Sequence, residues 1–330
     1  MADVHSLLAR LPPPDHAAAA RVRERSAGVL RPQAALRRLD DVAVWLASWQ
    51  RTESPRVEAP AALVFVGDHG VAVHGVSAYP SAVTAEVKRA LEAGAATANA
   101  MASAVGAHLR VVDVGVGRPT GDLMSEPALS PARFDECFAA GRDAVAGLEC
   151  DLLVPGEMGI ANTTAAAAVC AALYGGDARD WTGRGTGVDD TAYHRKVKVV
   201  ASAVRRVAAV RDPIEVLREV GGAELVAIAG AVVEARLRSI PVLLDGYVVG
   251  AAVAPLAVAR DDALDHCLAA HRSAERGHAL LLNRLGLQPL LDLELRLGEG
   301  SGALLAVPVL KLAAVCVTGV ATFEEWGLER

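Results

Sequence analysis

The sequence predicts an α/β protein with a mostly parallel sheet flanked by helices. Short aliphatic runs alternate along the chain with Ala-rich helical stretches, and most runs end at Gly, Asp or Pro. The runs lack a strict apolar–polar alternation, which is typical of strands that are buried on both faces. Strands that alternate with helices favour a parallel sheet, and ligands bind outside the carboxyl ends of its strands. The loops that follow the strands are therefore the first candidates for a functional site.

The individual elements follow from this pattern. The predicted strands are 62–66, 109–114, 151–154, 242–244 and 266–270. The predicted helices are 17–29, 34–50, 83–105, 163–173, 193–210, 215–220, 224–236, 248–259 and 303–317. The segment 51–60 is charged and contains proline, so we interpret it as a linker between the N-terminal helices and the first strand.

Composition and charge exclude several classes of protein. The chain has 330 residues, of which 52% are hydrophobic and 22% charged, and this balance excludes a disordered protein. The formal net charge is −6, and the sequence has no basic stripe that could hold a nucleic-acid backbone. We therefore expect no nucleic-acid partner.

The same composition predicts a cytoplasmic location. The N-terminus lacks the basic and apolar regions of a signal peptide, and no clean apolar run reaches the ~20 residues of a membrane span. The five cysteines are scattered without a C-x-x-C pair, which is typical of reduced thiols. We expect neither a membrane contact nor a disulfide.

The loop after the first strand, 67–80, contains Asp68, His69 and His74. Two histidines and an aspartate could indicate a metal site, but their spacing matches no standard one and no later cluster completes it. A glycine-hinged loop in which Ser77 and Tyr79 contact a planar ligand is the better functional interpretation. An ordinary surface turn remains equally compatible with this loop alone.

The loop after the third strand, 155–168, carries Glu157 and Gly159 ahead of an Ala-rich helix. Asn162 or Thr163 is a natural N-cap for that helix, whose first N–H groups would attract an anion such as phosphate. The glycine spacing is neither a Walker A loop nor a dinucleotide fingerprint. A capped structural helix is the alternative. Glu157 favours a binding site, because a carboxylate in a tight glycine loop is costly unless it binds something.

Two further loops offer groups for a phosphate. The glycine-rich loop 183–190 precedes a helix in which Lys196, if turned inward, would supply a positive charge. Taken alone, this loop favours the simpler interpretation, in which Asp189 or Asp190 caps that helix. Ser273, after the last predicted strand, could donate to a phosphate oxygen or could cap the next helix.

The last candidate is Glu299, which three glycines bracket just before the helix 303–317. Glycines screen the carboxyl little, so it could project into an apolar cavity. Partial burial there would raise its pKa and make it a competent general base. A solvated loop glutamate is the alternative.

Together these loops resemble the nicotinate-nucleotide–dimethylbenzimidazole phosphoribosyltransferases of cobalamin lower-ligand synthesis. The resemblance extends from about residue 60 to about residue 325, with the motifs in the family's order. The motifs are D-H-G-V (68–71), G-V-S-A-Y-P (75–80), G-E-M-G-I (156–160), N-T-T (162–164), G-T-G (185–187), L-L-D-G (243–246), H-R-S-A-E (271–275) and R-L-G-E-G (296–300).

The resemblance implies a role for each motif. It makes Glu299 the catalytic base and places Glu157 near the ribose and the base. It makes Lys196 and Ser273 ligands of the phosphate. It places Ser77 in the benzimidazole pocket. Gly159, Asp245 and Leu297 stand in the same motifs and are predicted to bind substrate as well.

The resemblance also implies an architecture and a set of partners. The expected fold has a Rossmann-like large domain (59–282) and a small helical domain built from both chain ends (1–58 with 283–330). We expect a homodimer that binds nicotinate mononucleotide and a benzimidazole-type base, with neither cofactor nor metal.

Two departures from the family pattern stand in this sequence. Ala161 replaces the usual Gly of G-I-G-N-T-T, and the segment 31–37 differs from the family's K-P-x-G-S-L-G.

Two rival functions are compared with a transferase. A hydrolase or oxidoreductase would show a nucleophile elbow or a dinucleotide fingerprint, and neither is found. A non-catalytic azole- or nucleotide-binding homologue would not need Glu157, Lys196 and Glu299 together.

Overall fold

A five-stranded parallel sheet lies at the centre of the protein, in a computed structural model that describes residues 2–329. Its strand order is β2-β1-β3-β4-β5, and every neighbouring pair in it is parallel. The strands are β1 (Pro60–Gly67), β2 (His108–Gly115), β3 (Leu152–Met158), β4 (Val242–Leu244) and β5 (Cys267–Ala269). A separate parallel pair is formed by β6 (His271–Arg272) and β7 (Leu291–Asp292). The predicted α/β class is confirmed.

Helices cover both faces of the sheet. Those before β3 are α1 (Ala2–Ala9), α2 (His16–Gly28), α3 (Arg37–Gln50), α4 (Val83–Glu92), α5 (Thr97–Val105) and α6 (Pro131–Ala146). Those after β3 are α7 (Asn162–Tyr174), α8 (Ala178–Trp181), α9 (Asp190–Arg206), α10 (Pro213–Val220), α11 (Ala223–Leu237), α12 (Tyr247–Ala259), α13 (Arg276–Leu285) and α14 (Ser301–Thr318). A 3-10 turn spans Gly70–His74.

The central strands are aliphatic because both of their faces are covered. Every residue of β1 is buried, and its side chains alternate between two hydrophobic cores. Leu63 and Phe65 belong to the core that α6, α7, α11 and α12 supply. Ala62 and Val64 belong to the core that α3, α5 and α14 supply. The absence of apolar–polar alternation in the sequence has this physical cause.

All five predicted strands are confirmed, but the helix predicted over 83–105 is wrong. The chain breaks between α4 and α5, where Gly94 takes a left-handed conformation with φ +75°. Glycine adopts that conformation without steric cost, so it ends one helix and lets the next start at a new angle. Helices α1, α6, α8 and α13 were not predicted.

The two ends of the chain are bound to each other. The amide of Leu30 donates to the carbonyl of Ala321 at 2.8 Å, and Val29 pairs with Thr322 in an antiparallel bridge. Helices α2, α3 and α14 pack together. Helix α14 also contributes to a sheet core and α1 to the other. The division into a large and a small domain stays a prediction.

Helix α14 is the one helix within residues 2–329 that is long and apolar enough to cross a membrane. Its inner face carries Leu304, Val307 and Leu310, each fully buried against the sheet and α3. A core helix of a globular protein has the same composition, and packing accounts for the apolar inner face of this one.

Helices α6 and α11 approach each other closely through a reciprocal pair of glycines. A Cβ on Gly141 of α6 would overlap the carbonyl of Ala227, and a Cβ on Gly230 of α11 would overlap the carbonyl of Phe138. Helix α11 lies against β1 and β3, so this contact fixes one whole layer of helices on the sheet.

We expect Gly230→Ala to lower the free energy of unfolding by about 3 kcal/mol, because the added methyl meets backbone that cannot move aside. Denaturant titration measures the change. Gly147→Ala is the matched control, since a Cβ there meets no atom of residues 2–329 within 4 Å and its φ is −92°. The control should change stability by less than about 1 kcal/mol. Equal effects of the two substitutions would contradict the close contact.

Candidate active site

A cleft opens at the carboxyl ends of the sheet strands, where the parallel fold predicts a ligand site. The loops after β1, β3, β4 and β6 all contribute to it, together with α9 and the segment before α14. Seven of the eight predicted site residues line the cleft: Ser77, Glu157, Gly159, Lys196, Asp245, Ser273 and Leu297. Segments that are far apart in sequence thus meet in one place.

Lys196 gives the cleft a group that can hold an anion. Lys196 does turn inward and is 1% exposed, and its Nζ donates to Thr163 Oγ1 at 2.7 Å. Burial lowers the pKa of Lys196 to about 8, although the nearby Glu275 carboxylate opposes that change. A buried amine without an ionic partner at bonding distance gains most from an incoming negative charge.

The N-terminus of α7 lines the cleft next to Lys196. The prediction that Asn162 or Thr163 caps this helix is wrong: the N-cap position is Ala161, and no side chain within residues 2–329 caps it. Both side chains are used elsewhere, because Asn162 binds Glu157 and Thr163 binds Lys196. The amides of Asn162 and Thr164 donate to the carbonyls of Gly159 and Ala161 at 3.1 and 2.9 Å. The dipole of α7 still favours a negative charge at this N-terminus.

Ala161 itself is left-handed, with φ +78°. A side chain in that conformation costs about 1–2 kcal/mol relative to glycine. The local strain gives the tight turn from which α7 starts.

Ser273 lies in the cleft and is not the cap of the following helix. The N-cap position of α13 is Glu275, and Ser273 Oγ only accepts the amide of Glu275 at 3.3 Å. The amide of Ser273 donates to Nδ1 of His278 at 2.8 Å, and this hydrogen bond holds the backbone of the turn. Burial and the neighbouring His271 lower the pKa of His278 to about 3, so its ring is a neutral acceptor. Asp189, in contrast, is the N-cap of α9, which confirms the prediction that Asp189 or Asp190 caps that helix.

A buried carboxyl, that of Glu157, also lines the cleft. Glu157 is 8% exposed, and Asn162 Nδ2 donates to its Oε2. Burial raises the pKa of Glu157 well above its usual range, and the charges of Asp245, Glu224 and Glu299 add to the effect. These surroundings therefore favour the protonated form of Glu157.

Glu299 is buried, so the interpretation as a solvated loop residue is wrong. Its side chain is 7% exposed, and its amide donates to the carbonyl of Glu157 at 3.0 Å. Its φ is +60°, a conformation that a non-glycine residue holds only under strain and that recurs at functional sites. Burial raises its pKa and the Asp245 charge adds to this, whereas a hydrogen bond from the Ala98 amide opposes it.

Within residues 2–329, Glu299 is not one of the residues that line the cleft, although Leu297 and Gly298 are. Its carboxyl lies behind that surface, against the start of α5, and its Oε2 has no hydrogen-bond partner in the described part of the chain. Glu299, the predicted general base, thus lies next to the cleft. Its catalytic role stays a prediction.

The loop that carries Ser77 is held against α9. Arg195 Nη1 donates to the carbonyls of His74 and Gly75 at 3.3 and 3.1 Å. His74 is bound on its other side by Asp122 at 2.8 Å. The half-exposed Leu297 and the buried Val76 both line the cleft, so apolar surface is available there to a flat ring.

The residues that suggested a metal site have other partners. Asp68 accepts the amide of Gly117 at 2.8 Å, and His69 binds Glu224 in the interior. Within residues 2–329 there is no group of three or more His, Cys, Asp or Glu side chains that could hold a metal ion.

Sequence reasoning missed several residues that line the cleft. Arg184 and Arg296 supply two cations at its mouth, and Thr163 binds the buried lysine. Arg184 belongs to the glycine-rich loop 183–190, and Arg296 belongs to the R-L-G-E-G motif that carries Glu299. A search of these loops for every charged residue would have found both arginines. Thr163 was assigned only to a cap.

Comparisons with known proteins agree with this geometry. A family model described as phosphoribosyltransferase matches residues 11–328. The nicotinate-nucleotide–dimethylbenzimidazole phosphoribosyltransferase of Methylocella silvestris is 49% identical over 98% of this chain and 94% of its own, and that of Ruegeria pomeroyi is 48% identical over 99% and 97%. A crystal structure of CobT from Thermus thermophilus superimposes with a TM-score of 0.91 at 40% identity, covering 95% of this chain and 99% of that one.

The chain belongs to the nicotinate-nucleotide–dimethylbenzimidazole phosphoribosyltransferase family. The resemblance drawn from the motifs is thereby confirmed, and the fold class is confirmed by the structural match. The match covers nearly the whole length of these relatives. The segment 31–37 differs from the family pattern given above. In this structure Arg31 of that segment binds Asp40 and donates to the carbonyl of Cys316 at 3.0 Å, so it joins the chain ends.

We expect nucleotide binding in this family member to weaken as the pH rises through about 8. Lys196 is charged below its pKa of about 8 and neutral above it, and only the charged form attracts phosphate. The KM for the nucleotide should rise by up to about tenfold between about pH 7 and about pH 9.

Lys196→Arg should remove this pH dependence, because a guanidinium stays charged throughout the range. Lys196→Met should raise the KM at every pH. Lys198→Met, which removes an exposed lysine from the same helix, should behave like the unmodified protein. A KM that is independent of pH in the unmodified protein would contradict the assignment of Lys196.

Proposed function

We propose that this protein transfers the 5-phosphoribosyl group of nicotinate mononucleotide to 5,6-dimethylbenzimidazole or a related base. The products are nicotinate and the α-riboside 5′-phosphate of the base, with inversion at C1′. The reaction belongs to the assembly of the cobalamin nucleotide loop. The named activity of the relatives supports this proposal.

A buried lysine and a buried glutamate that line the same cleft are the observation that carries the proposal. Lys196, Ser273 and the start of α7 are proposed to bind the nucleotide phosphate. The sugar and the attacking base are proposed to lie next to the carboxyls of Glu157 and Glu299, with Ser77 and Leu297 in contact with the ring. Gly159 and Asp245 line the same cleft and are proposed to bind substrate as well.

The leaving group needs little help from the protein. The pyridinium of nicotinate mononucleotide becomes neutral when the C1′–N bond breaks, so its departure requires no proton. The phosphate anchor holds C1′ still while the base approaches from the opposite face. Positioning of two reactants in this way can supply about 7–11 kcal/mol of the barrier.

The attacking base is where an acid–base group is required. When a ring nitrogen of the benzimidazole bonds to C1′, the ring becomes positive and must lose the proton on its other nitrogen. Glu299 is the group proposed to accept that proton, and its raised pKa brings it closer to the range in which a general base is effective. Glu157, bound by Asn162, is proposed to contact the ribose and the base.

A single assay separates this function from its rivals. The protein is mixed with nicotinate mononucleotide and dimethylbenzimidazole, and the release of nicotinate is followed. Release that depends on the base supports transfer, and release without the base indicates a hydrolase. Binding of both compounds without release indicates the non-catalytic azole- or nucleotide-binding alternative.

We expect Glu299→Gln to reduce kcat by about 10²–10⁴-fold, the usual contribution of a general base. The amide keeps the size of the side chain, so the KM values and the unfolding midpoint should change little. Steady-state kinetics and thermal unfolding measure the two effects.

Glu294→Gln is the matched control, because Glu294 is an exposed glutamate on the same loop and also has a positive φ. It should keep full activity. A Glu299→Gln protein with near-normal kcat would exclude Glu299 as the base.

The protein is further proposed to be a cytoplasmic homodimer. Helix α14 exposes Leu305, Leu312 and Val315 on its outer face, at spacings of seven and three residues that align them along the helix. An aligned apolar face of this kind is typical of an interface, and a two-fold axis would place it against its own copy.

We expect Leu312→Glu to convert the dimer to a monomer, because it would bury a charge at the centre of the interface. Light scattering coupled to size-exclusion chromatography measures the mass. Val258→Glu, at an exposed apolar residue near the end of α12, should leave the dimer intact. A monomeric unmodified protein would contradict the proposed dimer, and a Leu312→Glu protein that remains dimeric would exclude this face.

A further inference from the structure

A buried histidine–glutamate pair lies directly behind the loop that carries Glu157. His69 Nε2 and Glu224 Oε1 are 2.6 Å apart, and neither side chain is exposed to solvent. His69 follows β1, and Glu224 lies in the first turn of α11, where the helix N-terminus favours a carboxylate. The proposed transfer assigns no step to either residue.

Stability alone does not account for this pair. Burying two ionisable groups costs several kcal/mol each, and apolar residues of equal size are often as good or better. The remaining polar atoms, His69 Nδ1 and Glu224 Oε2, have no hydrogen-bond partner within residues 2–329. A costly pair that is only half satisfied is typical of a group retained for function.

Three backbone segments close around the pair, each through a glycine. A Cβ on Gly159 would lie 3.1 Å from Glu224 Oε1 and 3.2 Å from His69 Cδ2. A Cβ on Gly67 would lie 3.2 Å from Glu224 Oε2, and one on Gly222 would overlap the His69 ring. The ends of β1, β3 and the start of α11 are therefore fitted to the shape of these two side chains.

Gly159 connects the pair to the cleft. It lines the cleft and follows Glu157 by two residues, so any shift of its backbone moves the Glu157 carboxyl. We propose that His69 and Glu224 are a positioning pair that holds the Gly159 segment and Glu157 in the geometry that phosphoribosyl transfer requires. This inference rests on the proposed function.

The charge of Glu224 also acts on Glu157 directly. It raises the pKa of Glu157, as do the carboxylates of Asp245 after β4 and Glu299 before α14. Asn162 faces Glu157 from α7 and opposes them. On the far side, the Cys137 thiol of α6 faces Glu224.

Replacement of His69 tests the positional role. His69→Leu should lower kcat by about 10- to 100-fold while both KM values stay within about twofold, because a small displacement of a reacting group costs that much. His69→Gln should recover most of kcat, since its amide nitrogen can donate to Glu224 in place of Nε2.

The matched control is His266→Leu. His266 is also fully buried, with Nε2 3.0 Å from the carbonyl of Val232 and Nδ1 3.7 Å from the Cys267 thiol, but it precedes the edge strand β5. Its replacement should lower the unfolding midpoint without changing the kcat of the folded protein. Equal losses of kcat in the two leucine variants would show that both act through stability, and would overturn the proposal.

Glu224→Gln provides a readout that does not depend on folding of the leucine variant. The substitution keeps the hydrogen bond but removes the charge that raises the pKa of Glu157. Titration of Glu157 is identified in the kcat–pH profile as the change in kcat that disappears in Glu157→Gln. In Glu224→Gln this change should occur at lower pH than in the unmodified protein. Superimposable profiles of Glu224→Gln and the unmodified protein would overturn the proposal.

Activity of the unmodified protein distinguishes failure of the proposed function from failure of the positioning pair. If it releases no nicotinate in the presence of the base, the proposed function itself fails. If it is active and His69→Leu keeps its kcat within about twofold, only the positioning pair fails.

Discussion

The close contact between the end of β3 and the segment before α14 is the constraint on which the site depends. A Cβ on Gly156 would lie 2.5 Å from the amide of Gly300, so only glycine lets the two backbones meet. The amide of Glu299 then donates to the carbonyl of Glu157. Two carboxyls that are 142 positions apart in the sequence are held together by this single junction.

The junction brings ionisable carboxyls together beside a buried cation. Glu157 and Asp245 line the cleft with Lys196, and Glu299 lies next to it. Burial and the neighbouring carboxylates raise the pKa of Glu157, which favours its protonated form and limits the negative charge at this place. Lys196 and the N-terminus of α7 are the groups that attract the phosphate proposed to bind here.

The sequence predicted the sheet better than the site. Strands buried on both faces leave uninterrupted aliphatic runs, which can be read without a structure, and the glycine loops after them were correctly associated. The direction of side chains cannot be read in this way. Asn162 was predicted to cap a helix but binds Glu157, and Glu224 was noted only as the start of a helix. Glu299 was placed by its motif, yet its burial depends on residues more than a hundred positions away.

The most direct test of the central claim is the structure of the protein with the α-riboside phosphate of dimethylbenzimidazole bound. The account predicts that a carboxylate oxygen of Glu299 leaves the Ala98 amide and lies within about 3.2 Å of the ring nitrogen that is not joined to ribose. A structure in which Glu299 keeps its bond to Ala98 while Glu157 contacts that nitrogen would contradict it.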